Sequence, residues 1–242
     1  RMKKHKNDIY EDDQNEGATE SPVIAAATVL LLREREQLEV LMLQKTSKIE
    51  FGGMWVFPGG KIDPDDSAQA ANEDEAAKYA AARETKEEAG LDLPLDNFLW
   101  FSHWVPPENQ KKRFSTWFFV THSNSNQEVH IDGGEIQKYQ WIHPKLALEK
   151  HREGSIDLAP PTWVSLYQMS KFASVADTIS ELSNREPRFY KTKIVKNLEG
   201  TRTALWEGDS GYPQSSGESS DATHRLIMSS DGFVFEHSAV KY

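Results

Sequence analysis

The chain has 242 residues, 38% of them hydrophobic and 27% charged, with a formal net charge of −10 and no cysteine. That length suits one domain with additions or a domain plus a small lobe. The acidity disfavours non-specific nucleic-acid binding, and the lack of cysteine removes disulfides, thiol catalysis and thiolate metal sites together.

Residues 1–20 are polar, with a Lys3-Lys4-His5-Lys6 cluster followed by acids, and read as a disordered or loosely attached tail. They contain no apolar core of a signal peptide. The longest apolar run, Val23 to Leu32, has strand length and falls far short of the ~18 residues of a membrane helix, so a cytoplasmic protein with no membrane partner is expected. Ser21 to Leu32 and Leu38 to Gln44 are β-rich and read as a hairpin about the polar turn Arg33 to Gln37. Met54 to Phe57 is a short strand leading into Pro58-Gly59-Gly60. Asp63 to Asn72 reads as a loop, and a helix is expected from about 73 to 89, rich in alanines of high helix propensity and closed by Gly90 as a C-cap.

Further along, Phe98 to Val105 and Phe114 to His122 are aromatic-rich strands joined by the polar stretch Pro106 to Arg113. Ile136 to Ile142 is another strand and Pro144 to Leu148 opens a short helix. One longer amphipathic helix is expected from about Thr162 to Leu182, after Pro160-Pro161. Strands and helices alternating in this way suggest a mixed sheet between helices, an αβα sandwich of the α/β class. From about residue 186 the chain reads as a β-rich C-terminal extension of two hairpins, about Asn197 to Gly200 and Ser229 to Gly232, joined by a Ser/Gly-rich linker. Extension of the existing fold is its first reading, ahead of a homodimer contact or a cover for a substrate cleft. The expected boundaries are 1–20 for the tail, 21–185 for the main domain and 186–242 for the extension.

The chemistry is concentrated in Arg83-Glu84-Thr85-Lys86-Glu87-Glu88-Ala89-Gly90-Leu91. At roughly 100° per residue, Glu84, Glu87 and Glu88 share one helix face. Like charges at i,i+3 and i,i+4 weaken a helix, so three on one face call for an offset. A hard divalent cation supplies it, because Mg²⁺ takes carboxylate oxygens and leaves positions for water and substrate phosphates. Such an ion also overcomes the repulsion between an acidic protein and a phosphorylated substrate.

These residues resemble the Nudix box, Gly-x5-Glu-x7-Arg-Glu-U-x-Glu-Glu-x-Gly-U, with U a bulky apolar residue. Glu75 falls on the first glutamate with the x7 spacing intact, and Gly90 and Leu91 close the pattern. Thr85 stands where an aliphatic residue is usual. Residues 61–74 separate Gly60 from Glu75 where the pattern has five, an insertion of about nine that loops tolerate at small entropic cost. The resemblance extends over about 22–182 and implies a Nudix-type αβα sandwich and a Mg²⁺- or Mn²⁺-dependent hydrolase of nucleoside diphosphates linked to another group, such as ADP-ribose, a dinucleotide or coenzyme A. It implies Glu84 and Glu88 as metal ligands, Glu87 as a third ligand or acid–base group, and the Gly60 carbonyl as a further contact. Arg83, one turn before Glu87, is placed to orient that carboxylate.

Some family members take the water's proton with a glutamate outside the box. Glu135 is the first candidate here and Glu128 the second. Trp55, Trp104, Trp117 and Phe114 offer rings for a base, or else core packing; Lys111, Lys112 and Arg113 offer charges for phosphates, or else a solvated hairpin tip. Gln44, Lys45 and Ile49 stand where the coenzyme A-cleaving members carry arginine, a small residue and arginine. The eight histidines show no metal-ligand spacing. The competing readings are a Nudix-fold nucleotide-binding or regulatory module without catalysis, and a Nudix-related isomerase, which the absence of cysteine disfavours.

Overall fold

The computed structural model describes residues 4–11, 21–123, 127–218 and 221–242, which fall into two compact units. The larger holds Ala25–His103 and Thr116–Arg188. It starts with β1 (Val23–Glu34) and β2 (Leu38–Lys45), an antiparallel hairpin with Leu32 opposite Val40. Every residue of β1 from Ala26 to Leu32 is buried. Burial on both faces marks a strand inside a layered fold rather than on its surface.

The rest of the sheet forms around this strand. β3 (Trp55–Val56) and β4 (Gly59–Lys61) follow the hairpin, then β5 (Leu99–Val105), β6 (Arg113–His122) and β7 (Ile136–Ile142). The order is β3-β2-β1-β6-β5, continued beside β5 by the strand at Arg188–Lys191, with β4 also pairing β1 and β7 also pairing β2. The pairings of β3, β4 and β7 are antiparallel. Ser123 N–H donates to Leu32 O at 2.9 Å, which ties together the C-terminal ends of β6 and β1, so these two run parallel and the sheet is mixed.

Two helices precede β5: α1 (Pro64–Gln69) and α2 (Glu73–Ala89). α2 starts at Asn72, whose side chain accepts from Glu75 N–H, and stops at Gly90 in the left-handed conformation (φ 71°). Its buried face is built from Ala76, Ala77, Ala80 and Ala81, small side chains that let the helix lie close on the sheet. Ala77, Ala80 and Ala81 pack with Ala27, Val29, Phe98 and Phe119. Further along the same face Ala89 and Leu91 join Leu31, Leu41, Leu43 and Ile136. After β7 come α3 (Pro144–Arg152), α4 (Pro160–Met169) and α5 (Val175–Ser183); α3 packs on α4 and on β2.

Two expectations change here. The stretch Asp63 to Asn72 is not a plain loop: Asp63 caps α1 and Asp66 closes a reciprocal capping box. The segment from Thr162 to Leu182 is two helices, because the Ser174 side chain accepts from Asp177 N–H and starts α5 afresh. Gly59-Gly60, after the short strand at Met54 to Phe57, runs as strand β4 beside β1, with Gly60 opposite Ala27.

The smaller unit gathers the N-terminal residues through Ile24, Trp104–Ser115 and Phe189–Tyr242. β8 (Arg188–Lys191) leads into β9 (Lys193–Lys196), β10 (Arg202–Leu205), β11 (Arg225–Ser229) and β12 (Gly232–Glu236). The last four form their own antiparallel sheet in the order β12-β11-β10-β9. Both expected hairpins are present: β9 to β12 build this separate sheet, while β8, at the start of the extension, adds to the eight-stranded sheet beside β5 as expected. Its core is aromatic: the Trp104 ring stacks on Tyr190 at 3.9 Å, and Trp206 stands edge-on to both at 5.5 Å.

Two buried ion pairs fix this unit. Arg225 and Asp209 meet through two bonds of 2.7 Å, and burial of the Asp209 carboxylate is outweighed by the bonds from Arg225 and from the His224 and Gly211 amides, which hold its pKa below the usual range. Arg202 Nε lies 2.8 Å from Asp8, and its Nη2 donates to Tyr10 O at 2.6 Å. Residues 4–11 are therefore anchored, with Asp8 and Tyr10 buried, and loose attachment does not describe them; residues 1–3 and 12–20 lie outside the described residues. Breaking a buried pair leaves an uncompensated charge, which costs about 3–5 kcal/mol. Arg225→Ala is expected to destabilise the protein on that scale in denaturant melts, and an unchanged midpoint would show that the pair contributes nothing.

Candidate active site

The site lies where α2 crosses β4. Helical spacing puts Glu84 and Glu88 one turn apart on the edge of the alanine face, so both carboxylates reach the Pro58-Gly59-Gly60 strand. Pro58 O is held by Val29 N–H at 3.0 Å and by the Thr28 hydroxyl at 2.6 Å, so this strand is anchored to the core. Gly59 N–H donates to Glu88 Oε2 at 3.0 Å. The Glu84 carboxylate lies directly against the Gly60 backbone: a Cβ at residue 60 would stand 2.4 Å from Glu84 Cδ and 2.5 Å from Oε1. Only glycine lets the backbone come this close.

Burial raises the Glu84 pKa, and the nearby charges of Glu87 and Asp63 add to the effect against the opposing influence of Arg83. Glu88 goes further. Burial pushes it up to about 8, with Glu84 and Glu135 repelling its charge and the Gly59 amide and Lys45 only partly offsetting them. A pair of carboxylates that are costly to ionise in the absence of a cation is the donor chemistry that a hard divalent ion fits. Among the described residues no three His, Asp or Glu side chains stand ready around one point. Glu87, the other acid on this face, is mostly exposed, with its carboxylate 3.5 Å from Arg83 Nη1.

Arg83 does not serve Glu87 first. Its guanidinium takes Asp66 in a two-pronged grip, Nη2 to Oδ2 at 2.9 Å and Nε to Oδ1 at 3.2 Å. Nη2 also donates to Lys61 O at 3.0 Å, and Nη1 donates to Glu84 Oε1 at 2.8 Å. The bond to Asp66, followed by Glu84, raises the Arg83 pKa further, so the guanidinium stays charged. Glu75 stands apart from this cluster. Its carboxylate accepts the Ala71 N–H at 2.6 Å, and the residue is half-buried at the start of α2.

Glu135 comes from the loop before β7, where Asp132 accepts the amides of Glu135 and Ile136 at 2.8 and 2.9 Å. Its backbone O accepts Thr46 N–H at 2.8 Å, and its side chain is exposed and acts electrostatically on Glu88. Glu128 is exposed. Thr85 is buried, its hydroxyl turned back onto Ala81 O at 2.7 Å, so the residue fills an aliphatic position without leaving a polar atom unpaired.

Of the aromatic candidates, Trp104 belongs to the core of the smaller unit, while Trp117 packs against Trp100 with the rings tilted and 4.2 Å apart. Arg113 is buried and does not belong to a solvated hairpin tip. Sequence reasoning missed two groups, Asp66 and Lys45. The signal for Asp66 was present in Asp63-Pro64-Asp65-Asp66, an N-cap, a first-turn proline and an acid at the third helical position.

The NUDIX domain family model matches residues 22–160, more than half of the chain, and the chain belongs to that family. A Caenorhabditis elegans protein named as nudix hydrolase 7 is 23% identical over 188 residues, 63% of this chain and 61% of that protein. The acyl-coenzyme A diphosphatase NUDT19 of Xenopus laevis is 28% identical over 120 residues, 47% of this chain and 32% of that protein. The matched stretches span less than two thirds of either relative. A crystal structure of a NUDIX hydrolase from Alicyclobacillus acidocaldarius shares the fold, with a TM-score of 0.60 and 22% identity over 69% of this chain and 99% of that one. No helix among the described residues is long and apolar enough to cross a membrane.

Proposed function

We propose that the chain is a Mg²⁺- or Mn²⁺-dependent hydrolase that cleaves the diphosphate linkage of a nucleoside diphosphate joined to another moiety, with residues 21–185 as the hydrolase domain. The observation that carries this reading is the convergence of Glu84 and Glu88 on Gly59-Gly60, two largely buried carboxylates with raised pKa values. Nudix hydrolases generally need such a metal. Glu84 and Glu88 would hold it with the Gly60 carbonyl, and Glu87 would turn from Arg83 to act as a third ligand or acid–base group. A cation in that place withdraws charge from phosphate oxygens and makes bound water more acidic.

The chain's own groups do the rest. Arg83 holds the Glu84 carboxylate through Oε1. Glu135, exposed and close enough to act on the charge of Glu88, accepts a proton from the attacking water. The water oxygen bonds to phosphorus, the bridging P–O bond breaks, and the leaving phosphate keeps the electron pair. No cysteine exists for a covalent intermediate, which fits direct attack by water. The substrate is of the ADP-ribose, dinucleotide or coenzyme A type, and the similarity to an acyl-coenzyme A diphosphatase supports including the last.

The test is a panel of ADP-ribose, NADH, dinucleoside polyphosphates, coenzyme A and nucleoside triphosphates in ¹⁸O-labelled water with Mg²⁺ or Mn²⁺. The expected result is a nucleoside monophosphate and a second phosphorylated product, with label on one of them. Binding of these compounds without turnover would replace the proposal by a non-catalytic nucleotide-binding module. Rapid turnover of phosphate monoesters, with diphosphates inert, would also overturn it.

A further inference from the structure

The helix inserted between Gly60 and Glu75 has its own place in the site. The pattern's first glutamate, Glu75, uses its carboxylate to cap α2, while the inserted α1 carries Asp66 to Arg83. The Asp66 side chain is 2% exposed against 29% for Arg83, so the carboxylate is enclosed and its grip on the guanidinium is sheltered from water. Its geometry is set on both sides. Oδ2 also accepts the Asp63 N–H at 2.9 Å, which locks the carboxylate to the first turn of α1. Lys61 O takes the same Arg83 nitrogen. Arg83 is thus fixed at the Nε and Nη2 edge, and the remaining Nη1 is aimed at Glu84 Oε1.

We propose that Asp66 is a positioning residue that acts through Arg83: it holds and neutralises the guanidinium so that Glu84 is braced against Gly60 without being captured. Two physical consequences support this role. Without Asp66 the guanidinium keeps its charge but loses its partner, and the nearest replacements are Glu84 at 2.8 Å and, both at 3.5 Å, Glu87 and Asp63; of these Glu84 is already bonded. A stronger Arg83–Glu84 pair competes with any cation for the same carboxylate. The two-pronged grip also fixes the plane of the guanidinium, which a single bond does not. Residues that orient a metal ligand from behind typically carry 10–100-fold in affinity or activity.

The inference rests on the reading of Glu84 as a metal ligand, so its test uses two readouts. Mn²⁺ binding is measured by electron paramagnetic resonance on the full chain, and diphosphate hydrolysis is measured separately, with thermal melts to confirm folding. Asp66→Asn, which keeps the shape of the side chain, is expected to weaken Mn²⁺ binding and lower kcat/KM by ~10–100-fold. Asp66→Glu should recover part of both, because it restores the carboxylate. The deciding comparison is the pair Arg83→Ala and Asp66→Asn/Arg83→Ala: if Asp66 acts through Arg83, the second substitution adds no further loss. Additive losses, or a folded Asp66→Asn protein with wild-type Mn²⁺ binding and rate, would overturn the inference. A wild-type chain that binds Mn²⁺ but hydrolyses no diphosphate, with Asp66→Asn still weakening Mn²⁺ binding, keeps this inference and removes the proposed activity.

Discussion

Gly60→Ala is expected to lower kcat/KM by about 100-fold or more while the protein stays folded, the scale that a misplacement of about 1 Å at a reacting centre costs. The added methyl group would stand 2.4 Å from Glu84 Cδ and 2.8 Å from Oε2, so the carboxylate has to swing away. It cannot move freely, because Oε1 is held by Arg83. The Gly60 backbone does not itself need glycine, since it is regular strand paired with Ala27, and no left-handed strain is added. The loss should therefore appear in the apparent Mg²⁺ requirement and in the rate far more than in the melting temperature. A Gly60→Ala protein with unchanged Mg²⁺ dependence and rate would remove Glu84 from the site.

Glu88→Gln is expected to remove most activity and also to change how stability depends on pH. In the metal-free protein burial pushes the Glu88 carboxyl up to about 8, above the ordinary glutamate value of about 4.5. Between those values the folded state holds a proton that the unfolded state has released. Stability thus falls as pH rises through that window, by at most about 1.4 kcal/mol per pH unit from this group. Glutamine stays neutral throughout and its carbonyl can still accept the Gly59 N–H, so the variant should lose that slope and be the more stable protein at pH 8. Mg²⁺ acts in the opposite direction, since it binds the ionised carboxylate and its affinity should rise with pH up to about 8. Parallel pH–stability curves for wild type and Glu88→Gln would contradict the burial-driven shift. A wild-type hydrolysis rate in the variant would reject the ligand role.

The larger sheet and α2 were legible because their signals are local and agree. β-branched and aliphatic runs mark β1 and β2, while alanines between an asparagine cap and a glycine stop mark α2. The inserted helix was hidden because a loop reading rests on polarity, and α1 is polar throughout: its one buried side chain is an aspartate, Asp66, that finds its partner 17 residues away. The break between α4 and α5 was missed because apolar spacing persists across it, although the Ser174 cap was visible. The C-terminal hairpins were legible as pairs, but hydrogen-bonded edges carry no address, and how they assemble into one sheet is decided by contacts between hairpins such as Trp206 against Phe235.

At the site the spacing of Glu84 and Glu88 follows from helical periodicity. Their convergence on Gly60 and the proximity of Lys45 and Glu135 to Glu88 depend on how four separate segments pack, and no spacing rule reports that. Asp66 could have been read as a cap but not as the partner of Arg83.

Because the glycines facing Glu84 and Glu88 are residues of a strand laid on β1, the floor of the site has no melting transition of its own. β1 is buried from Ala26 to Leu32, and such strands open only with the whole domain. Heat should therefore switch the protein off at its unfolding temperature and not before. A gradual loss of rate below that temperature would have to come from the edges of the site: the short α1 with Asp66, or the exposed loop with Glu135.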